Sequence, residues 1–166
     1  MSPEKENFVE HTLVLIKPDG VYRGVVGEII TRFERAGLKI IAMKMVWIDK
    51  DFAKKHYGAH LKKSFYPNLE EYITAGPVVA MVLEGVEAVE VVRKIVGPTE
   101  PKSAMPGTIR GDYAHISYAH ADKTGKSVCN LIHASGTPEE ADDEILLWFD
   151  PTEIHTYKRA GEKWLK

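Results

Sequence analysis

Only one cysteine, Cys129, occurs in the sequence. That rules out a disulfide within the chain and an all-cysteine metal site. Cys129 itself reads as a small core residue beside a strand rather than as a reactive thiol. Long apolar runs are missing too. No stretch approaches the roughly 20 consecutive apolar residues that span a bilayer, and the opening MSPEKENFVEH lacks the apolar segment of a signal peptide. The expectation is a soluble cytoplasmic protein with no membrane association. An excess of positive charge is also lacking. Lys and Arg number 22 against 24 Asp and Glu, for a net charge of −2, and the pI is near 6.4. The molecule as a whole is therefore no adhesive for nucleic acid, although a local basic pocket is compatible with that balance. Lys5, Lys39, Lys44, Lys54, Lys55, Lys62 and Lys63 are scattered, so no stable nucleic-acid partner is expected.

What the chain holds is 166 residues, 44% of them hydrophobic and 28% charged, which suits one globular domain, 1–166, with a sizeable core. Thr12 to Lys17 is a short apolar run stopped by Pro18-Asp19-Gly20, a buried strand entering a turn. Val26, Ile29, Ile30 and Phe33 recur at helical spacing, and Gly37 follows as a stop. Leu38 to Ile48 is a second strand. Asp51 to His60 and Asn68 to Thr74 read as short helices, and Pro77 to Leu83 as a third strand. Val86 to Val96 is an amphipathic helix ended by Gly97-Pro98. The stretch from Gly97 to Gly111 reads as a long loop, of a kind often functional. Val128 to Ala134 is a fourth strand. Thr137-Pro138-Glu139-Glu140 then reads as a capping box opening a last helix. The order, β-α-β-α-α-β-α-loop-β-α, predicts a ferredoxin-like α/β (α+β) sandwich with helices packed on a four-stranded antiparallel sheet. Order alone also permits other open α/β sheets.

The usual phosphate loops fail. Gly125-Lys126-Ser127 looks like the end of a Walker A motif, but His120 stands where that motif needs glycine. Gly24-Val25-Val26-Gly27 is too short for a dinucleotide fingerprint. His56 and His60 share a helical spacing, but with no third ligand in sight they read as two solvated histidines before they read as zinc ligands. His115 and His120 fall in a polar loop, and His11 and His155 lie near the ends.

His133 is different. It ends a strand, small residues Ala134 and Ser135 follow, and a helix N-terminus comes next, where anions are well received. An imidazole is a competent nucleophile that needs only the right tautomer. Glu144, in the following helix, is placed to bind one ring nitrogen and leave the other free.

Asn130-Leu-Ile-His133-Ala134-Ser135 resembles the nucleoside diphosphate kinase signature Asn-x-x-His-Gly/Ala-Ser-Asp. Lys17-Pro18-Asp19-Gly20, Arg23-Gly24, Arg32-Phe33-Glu34 through Gly37-Leu38, His56-Tyr57, Gly76 through Met81 and Pro106 through Asp112 match the same family in order and spacing. The resemblance spans residues 8–159. It implies ping-pong transfer of the terminal phosphoryl group from ATP or another nucleoside triphosphate to a nucleoside diphosphate. By position, His133 is implied as the phosphorylated nucleophile, with Ser135 and Glu144 orienting it. Lys17, Tyr57, Arg93, Thr99, Arg110 and Asn130 are implied as the nucleotide- and phosphate-binding set, and Phe65 and Leu69 as the pinch on the base. Lys17, Arg93 and Arg110 supply cations, and Mg²⁺ arrives on the nucleotide without a direct protein ligand. A homo-oligomer is implied, most often a hexamer built from dimers, with tetramers also known.

Two departures stand out. Gly136 replaces the expected Asp, with Thr137 able to take over helix capping. Residues 113–127 form an insert relative to compact family members, and a tolerated surface loop is the preferred reading. These departures motivate one competing expectation, a non-catalytic nucleotide-binding module. A second, weaker competitor is single-stranded nucleic acid stacking on Phe65.

Overall fold

The computed structural model describes residues 8–165. Its four strands are β1 (Val9–Ile16), β2 (Lys39–Val46), β3 (Val78–Val86) and β4 (Ile132–Ala134), in the order β2-β3-β1-β4. All neighbours are antiparallel. The helices are α1 (Pro18–Tyr22), α2 (Val26–Arg35), α3 (Lys50–His56), α4 (Tyr66–Thr74), α5 (Ala88–Val96), α6 (Ile109–Tyr113), α7 (Tyr118–Thr124) and α8 (Pro138–Trp148). This is the ferredoxin-like arrangement that the element order predicts.

The unbroken apolar run in β1 has a simple cause, since both faces of the sheet are covered. Successive side chains of a strand point to opposite faces. Leu13 and Leu15 pack with Ala53, Ile73, Ile145 and Trp148 beneath α3, α4 and α8. Val14 and Ile16 pack with Ile29, Phe33, Val92 and Val96 beneath α2 and α5. Each such fully buried side chain contributes about 1.5–3 kcal/mol. The edge of β2 is covered as well. A bulge falls at Ile41, whose carbonyl accepts the His155 N–H at 2.8 Å, and the Tyr157 hydroxyl donates to the Ile40 carbonyl at 2.6 Å. An unpaired edge is thereby closed by the chain's own tail.

Several sequence expectations need correction. The fourth strand is Ile132–Ala134 only, because Leu131 adopts φ 69 and breaks the extended run. The loop from Gly97 contains a 3₁₀ turn, Pro101–Ser103, and yields to α6 at Ile109. The insert is not a bare surface loop, since its middle forms the 7-residue helix α7 and Ala121 is buried. Cys129 is exposed rather than in the core, because strand pairing starts only after it.

Candidate active site

The sheet delivers the chemistry to one end. Where β1 stops, Lys17 caps α1 and Pro18 takes its first turn, a position that needs no N–H donor. The Lys17 ammonium is buried and donates to Asn130 Oδ1 at 2.7 Å. Burial, helped by the nearby Arg110 charge, lowers its pKa to about 7. Asn130 in turn donates its amide to the Thr99 carbonyl at 2.9 Å. Arg110 leaves the first turn of α6 and is buried. Its three donor nitrogens reach the carbonyls of Asn130, Gly97 and Ile132 at 3.2, 2.9 and 2.6 Å. No carboxylate pairs with it among the described residues, and burial lowers its pKa to about 10. A buried guanidinium fixed only by carbonyls keeps its charge available for an anion.

His133 projects from β4. Its Nε2 lies 2.8 Å from Glu144 Oε1, and Glu144 Oε2 accepts the Ser135 hydroxyl at 2.6 Å. Ser135 is fully buried and its Oγ also accepts the Leu13 N–H at 3.2 Å, so this support is tied to the central strand. Burial pulls the Glu144 pKa up, but the hydrogen bonds from His133 and Ser135 and the His133 charge hold it below the usual carboxylate value. An ionised carboxylate accepts only. It therefore selects the Nε2–H tautomer and leaves Nδ1 with a lone pair and no hydrogen-bond partner among the described residues.

A cavity of about 1030 Å³ opens over this group. Every residue assigned to the nucleotide from the resemblance lines it: Lys17, Tyr57, Phe65, Leu69, Arg93, Thr99, Arg110 and Asn130, with His133 on the same wall. Ser135 and Glu144 stand behind His133. Phe65 is 47% exposed, so its ring offers a face to the cavity rather than filling the core.

The structure corrects the reading of His56. Its side chain is fully buried, accepts the Trp148 Nε1–H at Nδ1 at 3.1 Å, and sits edge-on to His133 with ring centroids 4.7 Å apart. Burial first, and then the His133 charge, push its pKa down to about 3, so it stays neutral. Burial also lowers the His60 pKa, and His60 lies in the cavity wall beside Tyr57. His56 is therefore no solvated histidine, whereas His60 is half-buried at the cavity. His56, His133 and Glu144 place ligand atoms within 4.8 Å of one another. Trp148 and Ser135, however, already engage that set in an internal hydrogen-bond network.

Glu140 and Thr137 between them engage backbone N–H groups at the start of α8, where Gly136 offers no side chain. Thr137 Oγ1 accepts the Glu140 N–H at 3.2 Å, as the capping pattern predicts. The Glu140 carboxylate bonds back to the Gly136 N–H at 2.9 Å rather than to that of Thr137. Sequence reasoning also missed the insert residues that line the cavity, Tyr118, Asp122, Lys126 and Ser127, because nothing in a polar insert announces which way its helix faces.

Residues 10–154 match the nucleoside diphosphate kinase family model. Curated relatives include a Pyrococcus abyssi nucleoside diphosphate kinase, 54% identical over 96% of this chain and 95% of its own length. One from Listeria monocytogenes is 48% identical over 95% of this chain and 100% of its own. Among solved structures, the Borrelia burgdorferi enzyme, described as a transition-state mimic with bound vanadate and ADP, superposes with a TM-score of 0.92. It is 44% identical and covers 95% of this chain and 97% of that one. The Halobacterium salinarum enzyme in complex with CDP gives a TM-score of 0.84 at 42% identity, over 93% of this chain and 97% of its own. With the family model matching residues 10–154, curated relatives about 50% identical and solved members sharing the fold, the chain belongs to the nucleoside diphosphate kinase family and is a phosphotransferase of that kind.

Proposed function

We propose that the chain, working as one domain, moves the terminal phosphoryl group of a nucleoside triphosphate to a nucleoside diphosphate through phosphorylated His133. The observation that carries this assignment is the His133–Glu144 contact at 2.8 Å, which turns the free Nδ1 toward a cavity holding Lys17, Arg93 and Arg110. In the first half-reaction the Nδ1 lone pair attacks the γ-phosphorus. The bond from phosphorus to the β-bridging oxygen breaks, and the diphosphate leaves with that electron pair. In the second half-reaction a terminal oxygen of the incoming diphosphate attacks the phosphoryl group, and the N–P bond breaks back to Nδ1. Such transfer asks the protein for positioning and charge neutralisation. Lys17 and Arg110, fixed by Asn130 and by carbonyls, are pre-aimed for it, and Arg93 adds an exposed cation at the end of α5. Phe65 and Leu69 receive the base by stacking and packing.

Mg²⁺ fits as an ion carried by the nucleotide. The one group of three potential ligands found among the described residues is engaged internally. When bound, the ion neutralises phosphate charge; orientation falls to Lys17, Arg93 and Arg110. No helix among the described residues is long and apolar enough to cross a membrane, and a chain with one cysteine has no need of an oxidising compartment, so we take the reaction to run in the cytoplasm. A homo-oligomer, hexamer or tetramer, is part of the same reading. Its support is the exposed row Met43, Met45 and Trp47 along one face of β2 and beyond, an apolar strip of the kind that marks an interface.

The test is intact mass after incubation with ATP and Mg²⁺, then again after adding a second nucleoside diphosphate. One acid-labile phosphoryl that the acceptor discharges, and that His133→Ala does not form, is expected. Protein that binds nucleotide yet never gains the adduct would overturn the assignment in favour of a regulatory nucleotide-binding module.

A further inference from the structure

The insert is built into the site. Ser117 caps α7 by accepting the His120 N–H at 3.2 Å, and Gly125 ends the helix at φ 65. Glu100 Oε1 accepts the Tyr118 N–H at 2.9 Å, and the Lys102 N–H reaches the Ile116 carbonyl at 3.1 Å. Buried Ala121 seats the helix from below. These contacts fix α7 to the segment that carries Thr99, and Thr99 holds Asn130 through its carbonyl. Tyr118 and Asp122, four residues apart and so on one side of the helix, line the cavity together with Lys126. Among the described residues, none of these three head groups makes a side-chain hydrogen bond or ion pair.

We propose that α7 is the base-reading wall of the nucleotide site and that Asp122 sets its nucleobase preference by accepting hydrogen bonds from the donor edge of the base. This rests on the cavity being a nucleotide site. The phosphate end is fixed by Lys17, Arg110 and His133. A polyphosphate repels a carboxylate, so Asp122 serves the nucleoside end. Stacking on Phe65 is indifferent to base identity, which leaves discrimination to groups that meet the base edge. A carboxylate only accepts. Guanine offers it two adjacent donors, N1–H and the N2 amino group. Adenine and cytosine offer one amino group beside a ring acceptor. Uracil offers one N–H between two carbonyl oxygens that repel it. Lys126, just beyond the helix, adds a donor for a base carbonyl such as guanine O6. The expected order of affinity is GDP, then ADP and CDP, then UDP.

The experiment is calorimetric binding of GDP, ADP, CDP and UDP to the wild type and to Asp122→Ala, run beside the mass test of phosphorylation. Asp122 is exposed on a helix, so the substitution spares the core. Losing a charge-assisted pair of hydrogen bonds to guanine raises the GDP Kd about tenfold, while the UDP Kd stays within about twofold. A loss equal for all four bases, no loss at all, or a wild type without the stated order overturns the proposal. Base-dependent binding that Asp122→Ala abolishes, in protein that forms no phosphohistidine, upholds it and overturns the kinase reading instead.

Discussion

Glu144 lies directly behind His133, with Oε1 2.8 Å from the imidazole Nε2. This contact decides which ring nitrogen is the nucleophile, and Ser135 keeps the carboxylate in place from the other side at 2.6 Å. Glu144→Gln keeps the shape but lets the side-chain amide present an N–H to Nε2, which selects the other tautomer and protonates the attacking nitrogen. The rate of phosphohistidine formation should fall about 10- to 100-fold, the usual scale for the partners that orient a functional histidine. Nucleotide affinity should be nearly unchanged. Rapid-quench phosphorylation set beside equilibrium binding separates the two, and an unchanged quench rate would sink the tautomer argument.

Lys17 gives a pH signature. Its pKa is lowered by burial to about 7, against 10.5 for a free side chain. Between those values the unfolded chain binds a proton at this site that the folded chain has released. Stability from this group therefore rises with pH across that window, and its destabilisation is at its full, constant value once pH is below about 7. A bound polyphosphate restores the charge by pairing with it. Nucleotide binding at pH 8 should then take up protons, visible as a dependence of calorimetric heat on the buffer's ionisation enthalpy. In Lys17→Met this uptake should fall sharply and affinity should drop. An uptake equal to that of the wild type would place the titrating group elsewhere.

Much of this was legible in the sequence because it lies in side-chain identity and spacing. The apolar run of β1 showed a buried strand, Thr137 showed the start of α8, and the signature around His133 pointed to residues that line one cavity. What stayed hidden depends on contacts between distant segments. Trp148 buries His56 from 92 residues away, and no local pattern distinguishes such a histidine from a solvated one. The wall formed by α7 was hidden for the same reason, since its orientation is fixed by Glu100.

Leu131 sits at φ 69, and the Ile132 N–H closes a tight turn onto the Asn130 carbonyl at 2.8 Å. Asp19 Oδ2 accepts the Leu131 N–H at 3.1 Å, while Asp19 Oδ1 takes the Tyr72 hydroxyl at 2.6 Å. The turn sets Asn130 and His133 on the same wall, so the Lys-Pro-Asp-Gly segment acts on the site through this carboxylate. A glycine would relieve the left-handed backbone, worth about 1 kcal/mol, but Leu131 is fully buried and its side chain is worth more. Leu131→Gly should therefore lose a net 1–4 kcal/mol or so in urea unfolding. A stabilised variant would show that backbone strain outweighs packing here.

Gly136 and Glu140 make a coupled pair. A Cβ added at 136 would come within 2.5 Å of Glu140 Oε2, and the Gly136 N–H is the group that oxygen holds. The backbone at 136 is not left-handed, so conformation alone does not forbid a side chain there. Gly136→Asp sets two carboxylates side by side at one helix start, and the long Glu140 side chain must swing away. Alone, this change should be neutral to destabilising by about 1 kcal/mol. In a Glu140→Ala background the same aspartate meets no rival and finds the helix N-terminus favourable, so it should stabilise by about 0.5–1 kcal/mol. The double-mutant cycle should thus show non-zero coupling, with Gly136→Asp neutral to destabilising beside Glu140 and stabilising without it, and phosphotransfer retained throughout because neither residue holds His133. Additive effects would mean that Glu140 is not what opposes a side chain at 136.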